Sequence, residues 1–190
     1  MFPLAFQGQL LSQRGKHEEA FRLFQLGADE GLPEAQCSLA FCYENGEGVQ
    51  PASLEKSLYW NKKAAEGGNA TAMANYGGNL MQFTAMRNGG RMDLVGKSVV
   101  PEVLYWARKS VASGNYDAMG FVTQLEGAID SVCGNCAKRA ASSSLSRCAK
   151  CKAIYYCNRA CQTDHWKKGH KWDCVDTNGV KKVRENTSGN

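Results

Sequence analysis

Long apolar runs are absent from this sequence of 190 residues, in which no uninterrupted apolar stretch exceeds five residues. A membrane-spanning helix needs about 20 such residues, so the sequence excludes one. No positive charge precedes Arg14 and no long apolar core follows the start, so we expect no secretory signal and an intracellular protein, cytoplasmic or nuclear. Proline is scarce, at 4 residues, while 43% of the residues are hydrophobic, which is typical of a folded chain.

Cysteine, in contrast, is abundant and unevenly placed. Seven of the nine cysteines fall within 42 residues, and only Cys37 and Cys42 lie elsewhere. In a reducing compartment, such a cluster indicates metal ligands rather than disulfides. Together with one histidine the seven form four pairs: Cys133 with Cys136, Cys148 with Cys151, Cys157 with Cys161, and His170 with Cys174. Eight sulfur and imidazole ligands complete two tetrahedra, which predicts two structural zinc ions.

Charge is also divided along the chain. Residues 1–132 contain 11 Lys and Arg against 14 Asp and Glu, whereas residues 133–174 contain 9 against 2. Seven metal-bound thiolates and two zinc ions reduce the charge of the second segment to about +4. The basic character of this segment is therefore moderate.

The first two thirds of the chain contain a repeated pattern. Segments that begin at Glu18, Glu55 and Pro101 align with each other and predict helices of about 12 residues. Each predicted helix ends at a glycine, namely at Gly31, Gly68 and Gly114. A further periodic apolar run begins four residues after each glycine, at Ala35, Ala72 and Ala118. The intervals are 37 and 46 residues, which is a repeat-protein period with an insertion. We place the insertion at residues 84–100, a Gly-rich stretch expected to form an exposed loop.

Other side chains in this part receive structural interpretations. Tyr59, Trp60, Tyr105 and Trp106 occupy equivalent helix positions and are expected in the core. Cys37 and Cys42 are interpreted as buried thiols and His17 as an exposed imidazole, because none has a partner at ligand spacing. The segment Gly46-Glu47-Gly48 follows no strand, so we interpret it as a turn between helices and not as a phosphate loop.

The segments 39–49 and 63–72 resemble the Sel-one-like repeat, a relative of the tetratricopeptide repeat. The resemblance implies a right-handed solenoid of helix pairs with a concave face that binds protein. Since one helix pair cannot bury its own apolar face, about three stacked pairs are needed for stability, and three are predicted.

The last third resembles the MYND zinc finger, through Tyr156-Cys157-x3-Cys161-Gln162, Trp166, His170-Lys171 and Cys174. Spacing alone leaves sequential and interleaved pairings open. The resemblance implies the interleaved one, in which one zinc takes Cys133, Cys136, Cys157 and Cys161 and the other takes Cys148, Cys151, His170 and Cys174. His165 is an alternative ligand, but His170 lies one helical turn before Cys174, so we interpret His165 as a surface residue of the last helix. Gly169, an extra residue relative to many members, is expected to be absorbed in a local turn.

The predicted fold class is mainly α, an α-solenoid of about three helix pairs followed by a small two-zinc cross-brace finger. The predicted domains are residues 1–130 for the Sel-one-like repeats, residues 131–175 for the finger and residues 176–190 for a disordered tail. No enzyme is expected, because eight ligands leave neither zinc an open coordination position. No catalytic Ser/His/Asp set or Gly-rich nucleotide loop accompanies the cysteines.

Two binding functions remain. The first is a protein-interaction adaptor, in which the finger binds short Pro-containing peptides and the helical repeats bind a second protein. The resemblance implies that Gln162 and Trp166 contact the peptide, although Trp166 in the finger's small core is the alternative interpretation. The second is nucleic-acid binding by the basic residues of the finger, which are Lys138, Arg139, Arg147, Lys150, Lys152, Arg159, Lys167, Lys168 and Lys171.

Overall fold

The structure is a computed structural model, and it describes residues 3–89 and 99–175. The chain forms two compact units, residues 1–79 and residues 80–190. Four helices lie within the first unit: α1 (Leu4–Gln13), α2 (His17–Asp29), α3 (Pro33–Asn45) and α4 (Leu54–Glu66). The next helix, α5 (Ala70–Arg87), begins in the first unit and ends in the second.

The second unit contains a helix pair and a region of short elements. The pair is α6 (Val100–Ala112) and α7 (Ala118–Ile129). A 3-10 turn (Ser142–Ser144) precedes the strands β1 (Ser146–Arg147) and β2 (Tyr155–Tyr156), which pair antiparallel. The helix α8 (Arg159–His165) then runs through a π-helical turn (Trp166–His170) into α9 (Lys171–Asp173). In the described residues, no helix combines the length and apolar character that crossing a membrane requires.

The three helices predicted from the repeat are confirmed as α2, α4 and α6. The glycines that follow them have positive φ values of 83° at Gly31, 98° at Gly68 and 95° at Gly114, which are the left-handed conformation expected where a helix ends. Helix α5 begins with a side-chain cap, in which Asn69 Oδ1 accepts a hydrogen bond from the Ala72 amide at 2.9 Å. The predicted turn at Gly46 to Gly48 lies between α3 and α4.

Helix α1 was not predicted from the sequence. Its ten residues contain Gln7, Gly8 and Gln9, and its first turn lacks acidic residues. Neither apolar periodicity nor a capping signal therefore indicates this helix in the sequence. Its Gly8 packs against α2, where a Cβ atom would lie 2.4 Å from Cε1 of Phe24. The ring of Phe24 is buried as a result, and it forms a core cluster with Ala20, Leu39 and Cys42.

The predicted loop at residues 84–100 is wrong at both of its ends. Helix α5 continues through Arg87, where Thr84 Oγ1 donates a hydrogen bond to the Leu80 carbonyl at 2.8 Å. Ala85, Met86 and Arg87 are good helix formers, so the helix extends almost to the first glycine of the segment. At the other end, Val100 is fully buried at the start of α6. Residues 90–98 lie outside the described residues.

The aromatic residues predicted to be core differ in their burial. Trp106 is buried, Trp60 and Tyr105 are half-buried, and Tyr59 is 51% exposed. The prediction is therefore wrong for Tyr59, whose ring meets Trp60 edge to face and lies 5.0 Å from Nζ of Lys63. Cys42 is buried as predicted, whereas Cys37 is only half-buried.

In the second unit, one hydrophobic cluster joins the helix pair to the cysteine-rich region. Val103 and Leu104 of α6 and Leu125 and Ile129 of α7 belong to the same cluster as Ile154, Tyr155, Tyr156 and the buried cysteines. The helix pair thus supplies apolar surface that a segment of 42 residues would not have by itself. The ranges 1–130, 131–175 and 176–190 remain a prediction about domains, and residues 176–190 lie outside the described residues.

Candidate metal centre

Two similar backbone turns present the first four cysteines. In the first turn, the Cys133 carbonyl accepts a hydrogen bond from the Ala137 amide at 2.9 Å, and Ala137 has a φ of 60°. In the second, the Cys148 carbonyl accepts one from the Lys152 amide at 3.1 Å, and Lys152 has a φ of 53°. Each Cys-x2-Cys pair is therefore closed by a residue in the left-handed conformation, which points both sulfurs to the same side.

Gly134 lets the first turn approach the second. Its amide donates a hydrogen bond to the Tyr155 carbonyl at 2.8 Å, and a Cβ atom at this position would lie 2.3 Å from Cγ2 of Ile154. Ile154 in turn accepts a hydrogen bond from the Cys148 amide at 2.8 Å. Only glycine fits between these two segments without moving Ile154.

The last four ligand candidates lie on and after α8. Asn158 caps this helix, accepting a hydrogen bond from the Cys161 amide at 2.8 Å, which places Cys157 just before the helix and Cys161 in its first turn. After α8 the backbone changes direction at Gly169, which has a φ of 147°. This change turns His170 into the interior, and the absorption of the extra residue in a local turn stays a prediction.

The sulfurs of Cys133, Cys136, Cys157 and Cys161 come together as the first cluster. All four lie within 4.8 Å of one another, with 3.8 Å between Cys136 and Cys157 and 3.5 Å between Cys157 and Cys161. A zinc–sulfur bond of about 2.3 Å places two sulfurs of a tetrahedron about 3.8 Å apart. The first cluster therefore fits a tetrahedral zinc ion.

The second cluster consists of Cys148, Cys151, His170 and Cys174, all of them buried. Cys148 and Cys174 sulfurs are 3.8 Å apart, and Nε2 of His170 lies 3.4 Å from the Cys148 sulfur and 3.7 Å from the Cys151 sulfur. With zinc–nitrogen bonds of about 2.0 Å, sulfur and nitrogen would be about 3.6 Å apart. A hydrogen bond from the Cys151 thiol lowers the pKa of Cys148 and raises that of Cys151, so this contact favours a thiolate at one of the two cysteines.

The pairs of ligand candidates are interleaved in space. The first and third pairs form one cluster and the second and fourth form the other, so the structure does not adopt the sequential pairing that spacing had left open. Backbone hydrogen bonds from Gly134 to Tyr155 and from Cys148 to Ile154 hold the first two turns next to each other. This arrangement fits two zinc ions.

His165 contradicts its interpretation as a surface residue. It is 1% exposed, its Nδ1 lies 3.0 Å from the hydroxyl oxygen of Tyr156, and its ring stacks on that of His170 with 5.0 Å between centroids. Burial raises the pKa of Tyr156, so the phenol stays neutral beside the imidazole. His165 belongs to neither cluster and packs against a residue of the second one. Its place in α8, directly before the π-helical turn, directs it inward.

The two residues predicted to contact a peptide lie on neighbouring turns. The Trp166 amide donates a backbone hydrogen bond to the Gln162 carbonyl, so the two side chains are one turn apart. Trp166 is 40% exposed, and one edge of its ring lies against His170 with 5.9 Å between centroids. Gln162 is half-buried. Trp166 thus both packs on the second cluster and reaches solvent.

Comparison with known protein families agrees with the two parts of the chain. The family model of the MYND finger matches residues 133–174, and the family model of the Sel1 repeat matches residues 5–32 and 33–69. The chain contains Sel1 repeats and a MYND zinc finger. The first Sel1 match consists of α1 and α2, so the helix missed from the sequence completes a repeat.

A solved structure supports the helical part. The crystal structure of a Sel1 repeat protein from Oxalobacter formigenes matches with a TM-score of 0.50 and 25% identity, over 65% of this chain and 48% of that one. The Sel1 repeats of this chain therefore adopt the helix-pair fold of that protein.

The curated relatives are much longer proteins. Ubiquitin C-terminal hydrolase 15 of Oryza sativa is 47% identical over 34 residues, which are 18% of this chain and 4% of the hydrolase. The mouse histone-lysine N-methyltransferase Smyd1 is 38% identical over 72 residues, which are 37% of this chain and 13% of the methyltransferase. The chain thus matches only a small part of either enzyme.

Proposed function

We propose that the protein is a zinc-dependent adaptor that connects two protein partners. The zinc ligands in this proposal are the eight residues of the two clusters. The single observation that carries it is that eight ligand atoms form two groups, each with every atom within 4.8 Å of the others. Bound zinc supplies the cross-links that hold the short elements of the finger together.

The ligand assignment is tested with the three histidines of the chain. We expect zinc-loaded protein to hold two ions, and His170→Ala to hold one, because Nε2 of His170 lies against two cysteines of the second cluster. His17→Ala is the matched control, since His17 is exposed and lies beside Glu47 in the Sel1 repeats. Native mass spectrometry counts the ions. Two ions in His170→Ala, or one ion in His165→Ala, would overturn the assignment.

Gln162 and Trp166 form the proposed peptide-binding surface of the finger. The exposed part of the indole offers an apolar wall, and the amide of Gln162, one turn away, can hydrogen-bond to a peptide backbone. An extended Pro-containing segment suits such a surface, because it keeps its carbonyls free and loses little entropy on binding. We propose micromolar affinity, about −8 kcal/mol.

A titration of Pro-rich peptides onto the zinc-loaded protein tests this surface. Trp166→Ala should weaken binding by about 2 kcal/mol while both zinc ions stay bound. Trp172→Ala is the control, because Trp172 is 80% exposed and lies nearby in the sequence, so its loss should leave affinity unchanged. Equal losses in both variants would contradict a specific surface.

The Sel1 repeats are proposed to bind the second protein. The first unit contains a cavity of about 300 Å³ that is lined by residues of α1, α2, α3 and α5. Phe41 lies at the surface of this cavity and Asn75 on its wall. Phe41 is 51% exposed, so a partner can cover it without unfolding the unit. Phe41→Ser should abolish capture of the partner, and Tyr59→Ser should not, because Tyr59 is equally exposed but lies outside the cavity lining.

We propose no enzymatic activity for this chain and an intracellular location. The rice hydrolase and the mouse methyltransferase match this chain over no more than 13% of their own length. Zinc sites with four protein ligands leave no coordination position for a substrate. Clustered free thiols suit a reducing compartment. Steep salt dependence of binding to DNA or RNA, with no peptide binding, would replace the adaptor proposal by the nucleic-acid alternative.

A further inference from the structure

The two clusters of the MYND finger differ in their access to solvent. All four residues of the second cluster are buried, with exposed fractions of 6% or less. In the first cluster only Cys133 is buried, while Cys157 and Cys161 are half-buried and Cys136 is exposed. A reagent from solvent can therefore reach sulfur in the first cluster without any unfolding, whereas the second requires the finger to open.

Local structure accounts for the exposure of Cys136. It lies at the outer end of the first turn, and the next three residues, Ala137 to Arg139, are all exposed. Cys151, at the equivalent end of the second turn, is instead fully buried in the hydrophobic cluster with Ile154 and the helix pair α6 and α7. The hydrophobic cluster buries the three cysteines of the second site but only Cys133 of the first, where Cys157 and Cys161 are partly buried against it. Cys136 is left at the edge.

From this asymmetry we propose that the first cluster is a thiol-modification site, attacked at Cys136, and that its zinc ion is released while the second cluster keeps its own. The inference rests on the zinc ligands proposed above. The modifying reagents are small oxidants of the peroxide class and soft electrophiles, because zinc-bound sulfur is nucleophilic and Cys136 is the cluster's most accessible sulfur.

With hydrogen peroxide the chemistry balances in two steps. The Cys136 thiolate attacks one peroxide oxygen; an S–O bond forms, the O–O bond breaks, and the hydroxide that leaves takes a proton to become water. The Cys157 sulfur, 3.8 Å away, then attacks the Cys136 sulfur; an S–S bond forms, the S–O bond breaks, and the second hydroxide takes a proton from solvent to become water. Two thiolates are oxidised, one peroxide is reduced to two waters, and zinc loses two ligands.

The two cysteines outside the finger, Cys37 and Cys42, should react with these reagents more slowly than Cys136. Cys42 is buried in the core of the Sel1 repeats. Cys37 is half-buried, and burial, with a contribution from Glu34, raises the pKa of its thiol to about 11, so that it stays protonated at neutral pH. A protonated thiol is a weak nucleophile, so Cys37 should react more slowly than Cys136.

The test uses the full chain loaded with two zinc ions and treated with one molar equivalent of hydrogen peroxide. We expect native mass spectrometry to show the loss of one ion, and peptide mapping without reduction to find a disulfide between Cys136 and Cys157. Loss of both ions together, or a first disulfide within the second cluster, would overturn the inference. Fewer than two ions before the oxidant is added would instead contradict the proposed zinc ligands.

Two further measurements keep the test independent of one variant. With limiting N-ethylmaleimide, Cys136 of the unmodified sequence should be labelled first, and first labelling at Cys37 or Cys148 would contradict the inference. Cys136→His keeps a zinc ligand and removes the attacked sulfur, so peroxide should release zinc at least tenfold more slowly. Cys37→Ser is the control and should release zinc at the original rate.

Discussion

The first unit and the MYND finger represent two ways of stabilising a small structure. In the first unit, long helices bury apolar residues against each other, as Phe24 of α2 does against Gly8 of α1. In the finger the strands have two residues each and α8 has seven, which is too little regular structure to be stable by itself. One part is held by side-chain packing and the other by metal ligands.

The helix pair α6 and α7 combines both kinds of stabilisation. It is helical like the first unit, yet its core residues Val103, Leu104, Leu125 and Ile129 belong to the cluster that contains cysteines of the proposed zinc sites. Its stability should therefore depend in part on a folded finger. A repeat-like helix pair that provides the apolar cover of a metal site should thus be coupled to zinc binding.

Removal of zinc should have the largest effect and separate the two parts most sharply. Structural zinc contributes about 10 to 16 kcal/mol of apparent binding free energy, so a strong chelator should unfold the finger. Hydrogen exchange should then show loss of protection across residues 133–174, a smaller loss in α6 and α7, and none in residues 3–79. Equal loss of protection in the first unit would contradict its independence from zinc, which we expect because its core contains no residue of either cluster.

A core substitution in the first unit should show the opposite dependence. Phe24→Ala should lower the unfolding free energy of this unit by about 3 to 5 kcal/mol, with or without chelator, because it leaves a cavity in the packed core. Leu26→Ala, on the same helix but at a position that is 50% exposed, should cost less than about 1 kcal/mol. Urea unfolding followed by hydrogen exchange measures both. A cost for Phe24→Ala that appears only after chelation would contradict independent packing.

His165→Ala should show that packing also matters inside the finger. The substitution removes a buried ring beside His170 and leaves the Tyr156 hydroxyl without this partner, so we expect a loss of about 3 kcal/mol. Both zinc ions should stay bound, because His165 belongs to neither cluster. Hydrogen exchange of the finger amides gives the free energy and native mass spectrometry the zinc content. An unchanged free energy of the finger would contradict a stabilising role for the packing of His165.

Helix capping should give the smallest effects, one in each part. Asn158→Ala removes the side-chain acceptor of the Cys161 amide and should cost the finger about 1 kcal/mol. Asn69→Ala removes the acceptor of the Ala72 amide and should cost α5 about the same. Only the first substitution should increase the rate at which a chelator removes zinc. An equal increase from Asn69→Ala would indicate that α5 and the finger open together.

The helices that were predicted correctly are those whose sequence contains both a periodic apolar face and a stop signal. For α2, α4 and α6 these signals agree, and the glycine after each helix adopts positive φ. Helix α1 has glutamines and a glycine where a periodic face would be expected, and its packing on Phe24 became visible only in three dimensions. The end of α5 differs from the prediction because the helix formers before Gly89 continue the helix, although the segment that follows is rich in glycine.

The sequence by itself determined that this chain has paired soft ligands for two metal ions, because ligand chemistry depends on residue type and on short spacing. It also determined where three helices end, since glycine tolerates a backbone conformation that other residues avoid. The tertiary structure decided that the pairs form interleaved clusters, which spacing had left open and only the resemblance implied. It also decided that His165 is buried and that Cys136 is exposed while Cys148 is covered. These properties depend on which distant segments pack together, and spacing along the chain contains no information about that.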